Sequence, residues 1–351
     1  MCIIDKLKNL IPPLLIYRKK IYLAKTENVK LPLGRRVFIF LAANYGNLGD
    51  IAITYAQHKW LENYFKDRSI VEVPANCTFS YLKGFLTKVE KDDIITFVGG
   101  GNMGDMYPLY ENIRQLIVSM LPENMIIQFP LTTDFSTTYR GRLMKMSAKY
   151  VYGSHKNMTI LSREKKSEKF LLSLLKKDIK TVPDMVLTLD YLNVASENRK
   201  NAALCLRQDN EKLLSESVVS SITKVLNDKF SHVEHTDTLI DDACINLSNK
   251  ELYLYNFLQD LSKKQLLVTD RLHGMIFAYI TGTPAIVFSN SNQKVKYCYD
   301  WIKDCGYVFY MDQYSEQDFI DNITKVLTCH VDRNLFQAKR NMFNNMIKDV
   351  I

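Results

Sequence analysis

The sequence contains no run of about 18 apolar residues, the length a transmembrane helix needs. Its longest apolar piece near the start, LIPPLLIY, is broken by Pro12 and Pro13. No small-residue cleavage site follows, and Asp5 stands where a secretory leader carries only basic groups. The seven cysteines are scattered, with no two separated by two residues, which excludes a zinc ribbon and a Cys-x-x-Cys redox pair. An odd count without a framework reads as reduced thiols in apolar core positions of a cytoplasmic protein. Thirteen glycines and nine prolines in 351 residues exclude a collagen-like or low-complexity chain. With 47% apolar residues, the chain is not intrinsically disordered. No repeat of 20–50 residues is present.

What is present is an uneven charge. The net charge is +8, and residues 1–36 hold nine basic groups against Asp5 and Glu27. The rest of the chain is therefore almost neutral. A basic protein invites a nucleic-acid reading, but here the excess belongs to an arm, and a nucleic-acid partner is not expected. The arm, with apolar anchors beside Arg18, Lys19 and Lys20, has two readings: a helix packed on its own domain, or a peripheral contact with an anionic membrane.

Beyond the arm, apolar β-rich runs alternate with helical spacing. RRVFIFLAA (35–43), DDIITFVGG (92–100) and NMIIQFP (124–130) read as buried strands, and KYVYGSH, MTILSRE and KTVPDMVLTL continue the alternation. The pattern restarts after SENRKN (196–201) with ALCLRQD, a helix over 211–230, QLLVTDRLHG (265–274) and TPAIVFSN. This predicts an α/β protein with mainly parallel sheets. The expected organisation is an arm (1–36), an N-terminal Rossmann-like domain (37–195), a C-terminal one (196–333), and a helix (334–351) that returns to the first domain. Two such domains facing a cleft would bind ligand at the carboxyl ends of their strands.

Five segments at strand ends carry polar chemistry. NYGNLGD places Asn44, Asn47 and Asp50 in a glycine loop before a helix, where amides favour an anion or sugar oxygens, although it lacks the G-x-G-x-x-G spacing. GGGNMGD (99–105) offers Gly100, Asn102 and Asp105 in a loop, and no Lys-Ser/Thr pair follows to make it a nucleotide phosphate loop. SHKNMTILSRE brackets a strand with His155 and Arg163. LCLRQD ends a strand on Arg207, and VTDRLHG gathers Asp270, Arg271 and His273. Two arginines suit a carboxylate or phosphate because the guanidinium fork donates two bonds at once. A histidine beside an arginine is favoured in its neutral form and can move protons near neutral pH. Each segment also has a plain structural reading: a tight turn, a cap or a hydrogen-bond network.

Asn44-x-x-Asn47-x-Gly49-Asp50, GGGNMGD, QFPLTTDF, H-K-N-x-T-I-L-S-R-E-x-x-S and RLHGMIFAYITGTPAIVF, in this order over roughly 38–300, resemble the polysaccharide pyruvyl transferase family. The resemblance implies a GT-B-like fold. It also implies transfer of the pyruvyl group of phosphoenolpyruvate onto two hydroxyls of a hexose, such as galactose, as a ketal, in bacterial capsular or exopolysaccharide biosynthesis. It assigns Arg207, Arg271, Leu272 and His273 to the donor, with Arg163 beside them, and His155 and His273 to acid/base work. Asn44, Asn47, Asp50, Gly100, Asn102 and Asp105 would then meet the acceptor, a lipid-linked oligosaccharide at the inner membrane face. Phosphoenolpyruvate is a substrate; no cofactor or metal is expected. Relatives often carry Gln between Pro130 and Thr132, where this chain has Leu131. Two other readings are a GT-B nucleotide-sugar glycosyltransferase and a non-catalytic anion-binding protein of the same fold.

Overall fold

The computed structural model describes residues 13–194, 198–209, 212–241, 243, 245–290 and 293–351. They form two α/β units. The first holds the described residues up to Asn44, Ile53–Met185 and Ile347–Ile351; the second holds Tyr45–Ala52 and Val186–Met346. The division after Met185 lies ahead of the expected stretch 191–201, of which 195–197 are outside the described residues. Sequence order places Tyr45–Ala52 in the first domain, but its contacts group it with the second unit.

The first unit is a sheet of β1 (Arg36–Ala42), β2 (Ser69–Pro74), β3 (Ile94–Phe97), β4 (Gly100–Gly104), β5 (Met125–Asp134), β6 (Met158–Ser162) and β7 (Ile179–Thr181). The order is β2-β1-β3-β5-β6-β7, with β4 added to β5, and every pairing is parallel. All seven residues of β1 are buried, as a strand covered on both faces requires. Its helices are α1 (Pro13–Leu23), α2 (Leu48–Tyr64, whose first turn belongs to the second unit), α3 (Phe79–Leu86), α4 (Pro108–Met120), α5 (Tyr139–Ser154) and α6 (Lys165–Leu175). The arm thus contains a packed helix: the Tyr17 ring lies tilted against Phe79 with centroids 5.8 Å apart, and Lys83 donates to the carbonyls of Tyr22 and Ala24.

Two local expectations change. GNMGD is strand β4 rather than a loop. KYVYGSH is the last turn of α5 running into the next loop, because Thr138 caps the helix through the Gly141 amide and Met144, Ala148, Val151 and Tyr152 bury one face at helical spacing.

The second unit is a five-stranded parallel sheet of β8 (Lys200–Cys205), β9 (Val233–His235), β10 (Lys264–Thr269), β11 (Ala285–Phe288) and β12 (Val308–Met311), ordered β9-β8-β10-β11-β12. This is the doubly wound 2-1-3-4-5 order, whose switch point lies between β8 and β10. Leu204, Leu226, Leu266, Val268, Ile286 and Phe319 form its core under α7 (Glu216–Lys229) and α11 (Glu316–Thr328). The other helices are α8 (Lys250–Ser262), α9 (Leu272–Thr281), α10 (Lys294–Tyr299) and α12 (Arg333–Lys348). Helix α12 is anchored within this unit by Phe336 on Tyr279, Phe343 on Trp301 and Arg340 Nε on the Thr188 carbonyl at 2.7 Å.

Among the described cysteines, Cys205, Cys298 and Cys305 are buried and none is bridged; burial pushes the Cys205 thiol up to about 12. No helix among the described residues is long and apolar enough to cross a membrane.

Candidate functional site

The second unit concentrates charge at the switch point of its sheet. Register pairs Thr269 of β10 with Cys205 of β8, so Arg207 and Arg271 each stand two residues beyond paired strand ends. Asp270, fully buried between them in sequence, accepts the Arg207 amide at 2.8 Å. Its other oxygen is buried without a hydrogen-bond partner among the described residues. Burial raises its pKa; the Arg207 amide and the charges of Arg207 and Arg271 oppose that rise.

Arg271 lies between β10 and α9, at the N-cap of the helix. Its amide donates to Thr269 Oγ1 at 3.0 Å, which donates to the Cys205 carbonyl at 2.8 Å. Gly274 is needed here because a Cβ would lie 2.5 Å from Thr269 Oγ1. The Arg271 guanidinium meets Asp237 Oδ2 at 2.6 Å and Asp209 at 3.5 Å, and its Nε is buried without a hydrogen-bond partner among the described residues. Arg207 takes Asp209 through both fork nitrogens at 2.9 Å. The carboxylate of Asp209 therefore touches both arginines, and an anion bound here must share or displace it. Leu272 and His273 form the first turn of α9, where the helix dipole favours negative charge.

Residues 45–52 complete this site. Asn47 bridges to Leu239; the Leu48 amide donates to the Thr238 carbonyl and the Ile240 amide to the Gly46 carbonyl, each at 2.8 Å. Asn47 Oδ1 accepts the amides of Gly49 and Asp50, which starts α2, and Asp50 accepts the Tyr45 hydroxyl at 3.0 Å. Gly49 lies against His273, so that a Cβ there would be 2.2 Å from Nδ1. Arg207, Arg271, Leu272, His273, Asn47 and Asp50 are thus gathered in one unit.

The other sequence-selected residues lie in the first unit. Asn44 exchanges hydrogen bonds with the backbone of Asn76. At the end of β1, Leu41 adopts a positive φ of 63° beside a register shift, a strained geometry of the kind that clusters at functional sites. The spelling Gly99-x-Gly101-x-x-Gly104 matches the dinucleotide glycine spacing, yet the segment is a strand and not a turn opening a helix. Its glycines serve backbone approach: a Cβ on Gly99 would lie 2.5 Å from the Pro130 carbonyl oxygen, and one on Gly104 1.7 Å from that of Asp134. Gly100, with φ of 100°, pairs with Leu131. Asn102 is held by Arg114, which is paired with Glu111 in a fully buried network. Asp105 accepts the Ser136 amide at 2.6 Å, and also its hydroxyl. Leu131 is fully buried in the sheet, so it is a core residue.

Arg163 is buried at the carboxyl end of β6, bound to Asp184 at 2.8 Å and to Thr132 Oγ1 at 2.8 Å. Glu164 accepts from Thr132 and from Ser167. The Arg-Glu-x-x-Ser motif therefore ties β5, β6 and α6 together, and does not form a surface pair. Arg163→Ala removes the guanidinium that meets buried Asp184 at 2.8 Å, and the expected cost is about 3–5 kcal/mol. A urea midpoint equal to that of the unmodified protein would contradict this role.

His155 stands apart. It precedes β6, at the amino end of the sheet, and the five residues of β6 at about 3.3 Å each separate it from Arg163. It is buried with Nε2 3.0 Å from the Leu121 carbonyl, and Lys177 caps its own carbonyl. This placement fits a structural histidine better than the expected acid/base.

Sequence reading missed the arginines' carboxylate partners Asp209 and Asp237, and also Asn290. Asn290, just beyond β11, is 1% exposed, and its side-chain amide atoms have no hydrogen-bond partner among the described residues. Asp209, two residues after Arg207, was visible; Asp237 had no local signal. Among the described residues, no group of three or more His, Cys, Asp or Glu is placed to hold a metal.

Comparison with known proteins places these residues in context. The model of a family described as polysaccharide pyruvyl transferase matches residues 47–292. General stress protein 30 of Bacillus subtilis (strain 168) is 32% identical over 84% of this chain and 85% of its own length. Pyruvyl transferase 1 of Schizosaccharomyces pombe is 24% identical over 77% of this chain and 71% of its own. The crystal structure of the uncharacterized protein KP1_0663 from Klebsiella pneumoniae aligns with a TM-score of 0.53 at 18% identity, over 89% of this chain and all of that one, a likeness of fold.

Proposed function

Because the chain belongs to the polysaccharide pyruvyl transferase family, we propose that it moves the pyruvyl group of phosphoenolpyruvate onto two hydroxyls of a hexose, forming a cyclic ketal during surface-polysaccharide assembly. The observation that carries this reading is the pair Arg207 and Arg271, with His273, at the switch point of the second unit's sheet. Phosphoenolpyruvate carries a carboxylate and a phosphate on three carbons, so it needs a few placed cations and little apolar surface. The two guanidinium forks hold these groups, displacing Asp209, and the α9 amino end adds its dipole.

Protonation of the donor's methylene carbon by His273 creates an oxocarbenium-like centre at the neighbouring carbon. A sugar hydroxyl attacks that centre and gives up its proton. The carbon–oxygen bond to phosphate then breaks, with the electron pair leaving on phosphate held by the arginines, and a second hydroxyl closes the ketal with loss of its proton. The chemistry calls for an acid, a base and an anion clamp, and for no redox cofactor. Acceptor candidates in the second unit are Asn47 and Asp50; in the first unit they are Asn44 and Asp105. The acceptor is a hexose on a lipid-linked oligosaccharide, met at the inner membrane face with residues 1–36 as the peripheral contact.

A thermal-shift comparison tests the donor. Phosphoenolpyruvate at 100 times its Kd should stabilise the protein by about 2.7 kcal/mol, and a uridine diphosphate should not. Stabilisation by the nucleotide alone would replace this reading with a nucleotide-sugar glycosyltransferase.

A further inference from the structure

Helices α1 and α5 of the first unit share one feature: neither contains an acidic residue. Helix α1 carries Arg18, Lys19 and Lys20, and α5 carries Arg140, Arg142, Lys145 and Lys149. Both pack on α4. They line together a cavity of about 400 Å³, through Tyr17 and Lys20 on one side and Arg140 and Leu143 on the other. A second cavity, of about 880 Å³, is lined by Leu15 and Arg18 from α1 and by Ser147 and Tyr150 from α5.

The outward face of α5 is a stripe. Tyr139, Arg142, Met146, Lys149 and Tyr150 follow helical spacing and all are exposed, Met146 by 66% and Tyr150 by 77%. On α1, Leu15, Tyr22 and Leu23 are exposed beside the three cations, Tyr22 by 80%. The neighbouring acids have partners: Glu123 pairs with Lys91, and Asp105 is bound to Ser136. Large apolar and aromatic side chains standing in water among these cations match the headgroup layer of an anionic bilayer. Tyrosine rings lie at that depth, and lysine and arginine reach the phosphates.

We propose that α1 and α5 form one docking surface for an anionic phospholipid bilayer. This deepens the peripheral contact proposed above for residues 1–36 by adding α5, which lies outside the arm and whose contribution charge arithmetic on the arm does not reveal. The cavity between the two helices includes Asp105, so the surface adjoins one of the acceptor candidates.

The test is co-sedimentation of the full chain with vesicles of phosphatidylcholine containing one-fifth phosphatidylglycerol, and with pure phosphatidylcholine. Binding to the anionic vesicles alone, weakening as salt rises, is expected. Each basic group near such a surface contributes about fivefold, so Arg142→Gln with Lys149→Gln should weaken binding about 25-fold. Lys224→Gln with Lys229→Gln, on exposed α7, should leave it unchanged. Because Arg142 and Lys149 are exposed, the first variant should keep its melting temperature and its turnover of a short soluble glycoside. Equal loss in both variants, no loss in the α5 variant, or equal binding to neutral vesicles would overturn the proposal. Failure of pyruvyl transfer, by contrast, would leave the vesicle result untouched.

Discussion

Arg271→Ala is expected to lower donor affinity by at least about 100-fold, the scale of losing one member of a desolvated, hydrogen-bonded charge pair. Arg271 is 7% exposed, it stands at the N-cap of α9, and its Nε has no hydrogen-bond partner among the described residues. A donor oxygen would satisfy that nitrogen. Arg271→Lys keeps the charge and loses the fork, so it should fall between the unmodified protein and alanine. Isothermal titration with phosphoenolpyruvate measures the series. The alanine change also releases Asp237, and the lysine variant guards against reading lost folding as lost binding. Unchanged affinity in a folded alanine variant would remove Arg271 from the donor site.

Gly49→Ala should act through His273 without touching charge. An added Cβ would lie 2.2 Å from Nδ1 and 2.5 Å from Cγ of the ring, so ring or loop must move. A displacement of about 1 Å can cost about 100-fold in rate. The expected signature is a fall of that size in kcat with a smaller change in donor affinity, since Arg207 and Arg271 stay in place. The stability cost of such overpacking is about 1–3 kcal/mol. A folded variant with unmodified kcat would show that the ring's position against residues 45–52 does not matter to turnover.

Much of the fold was legible because parallel strands buried on both faces are written as apolar runs. β1, β3, β5, β10 and β11 were all found that way. Where composition misled, a local competitor won. GGGNMGD looks like a loop because of its glycines, yet they let β4 approach the β5 backbone. KYVYGSH looks like a strand, but its apolar residues continue the spacing of a capped helix. Arg207 and Arg271 were legible as strand-end residues of the second unit. The environment that sets their chemistry was not. Asp237 lies 34 positions from Arg271, and residues 45–52 reach His273 across more than half the chain. His155 and Arg163 flank one strand, so they stand at its opposite ends, a separation that their closeness in sequence does not reveal.

The most direct measurement is turnover. The purified chain is incubated with phosphoenolpyruvate and a series of hexosides, galactosides first, while phosphate release and product mass are followed together. Phosphate released in step with a glycoside gaining one pyruvyl ketal, and lost with Arg271→Ala, is the predicted result. No pyruvylated product with any hexoside, or transfer of a sugar from a nucleotide donor instead, would contradict the account.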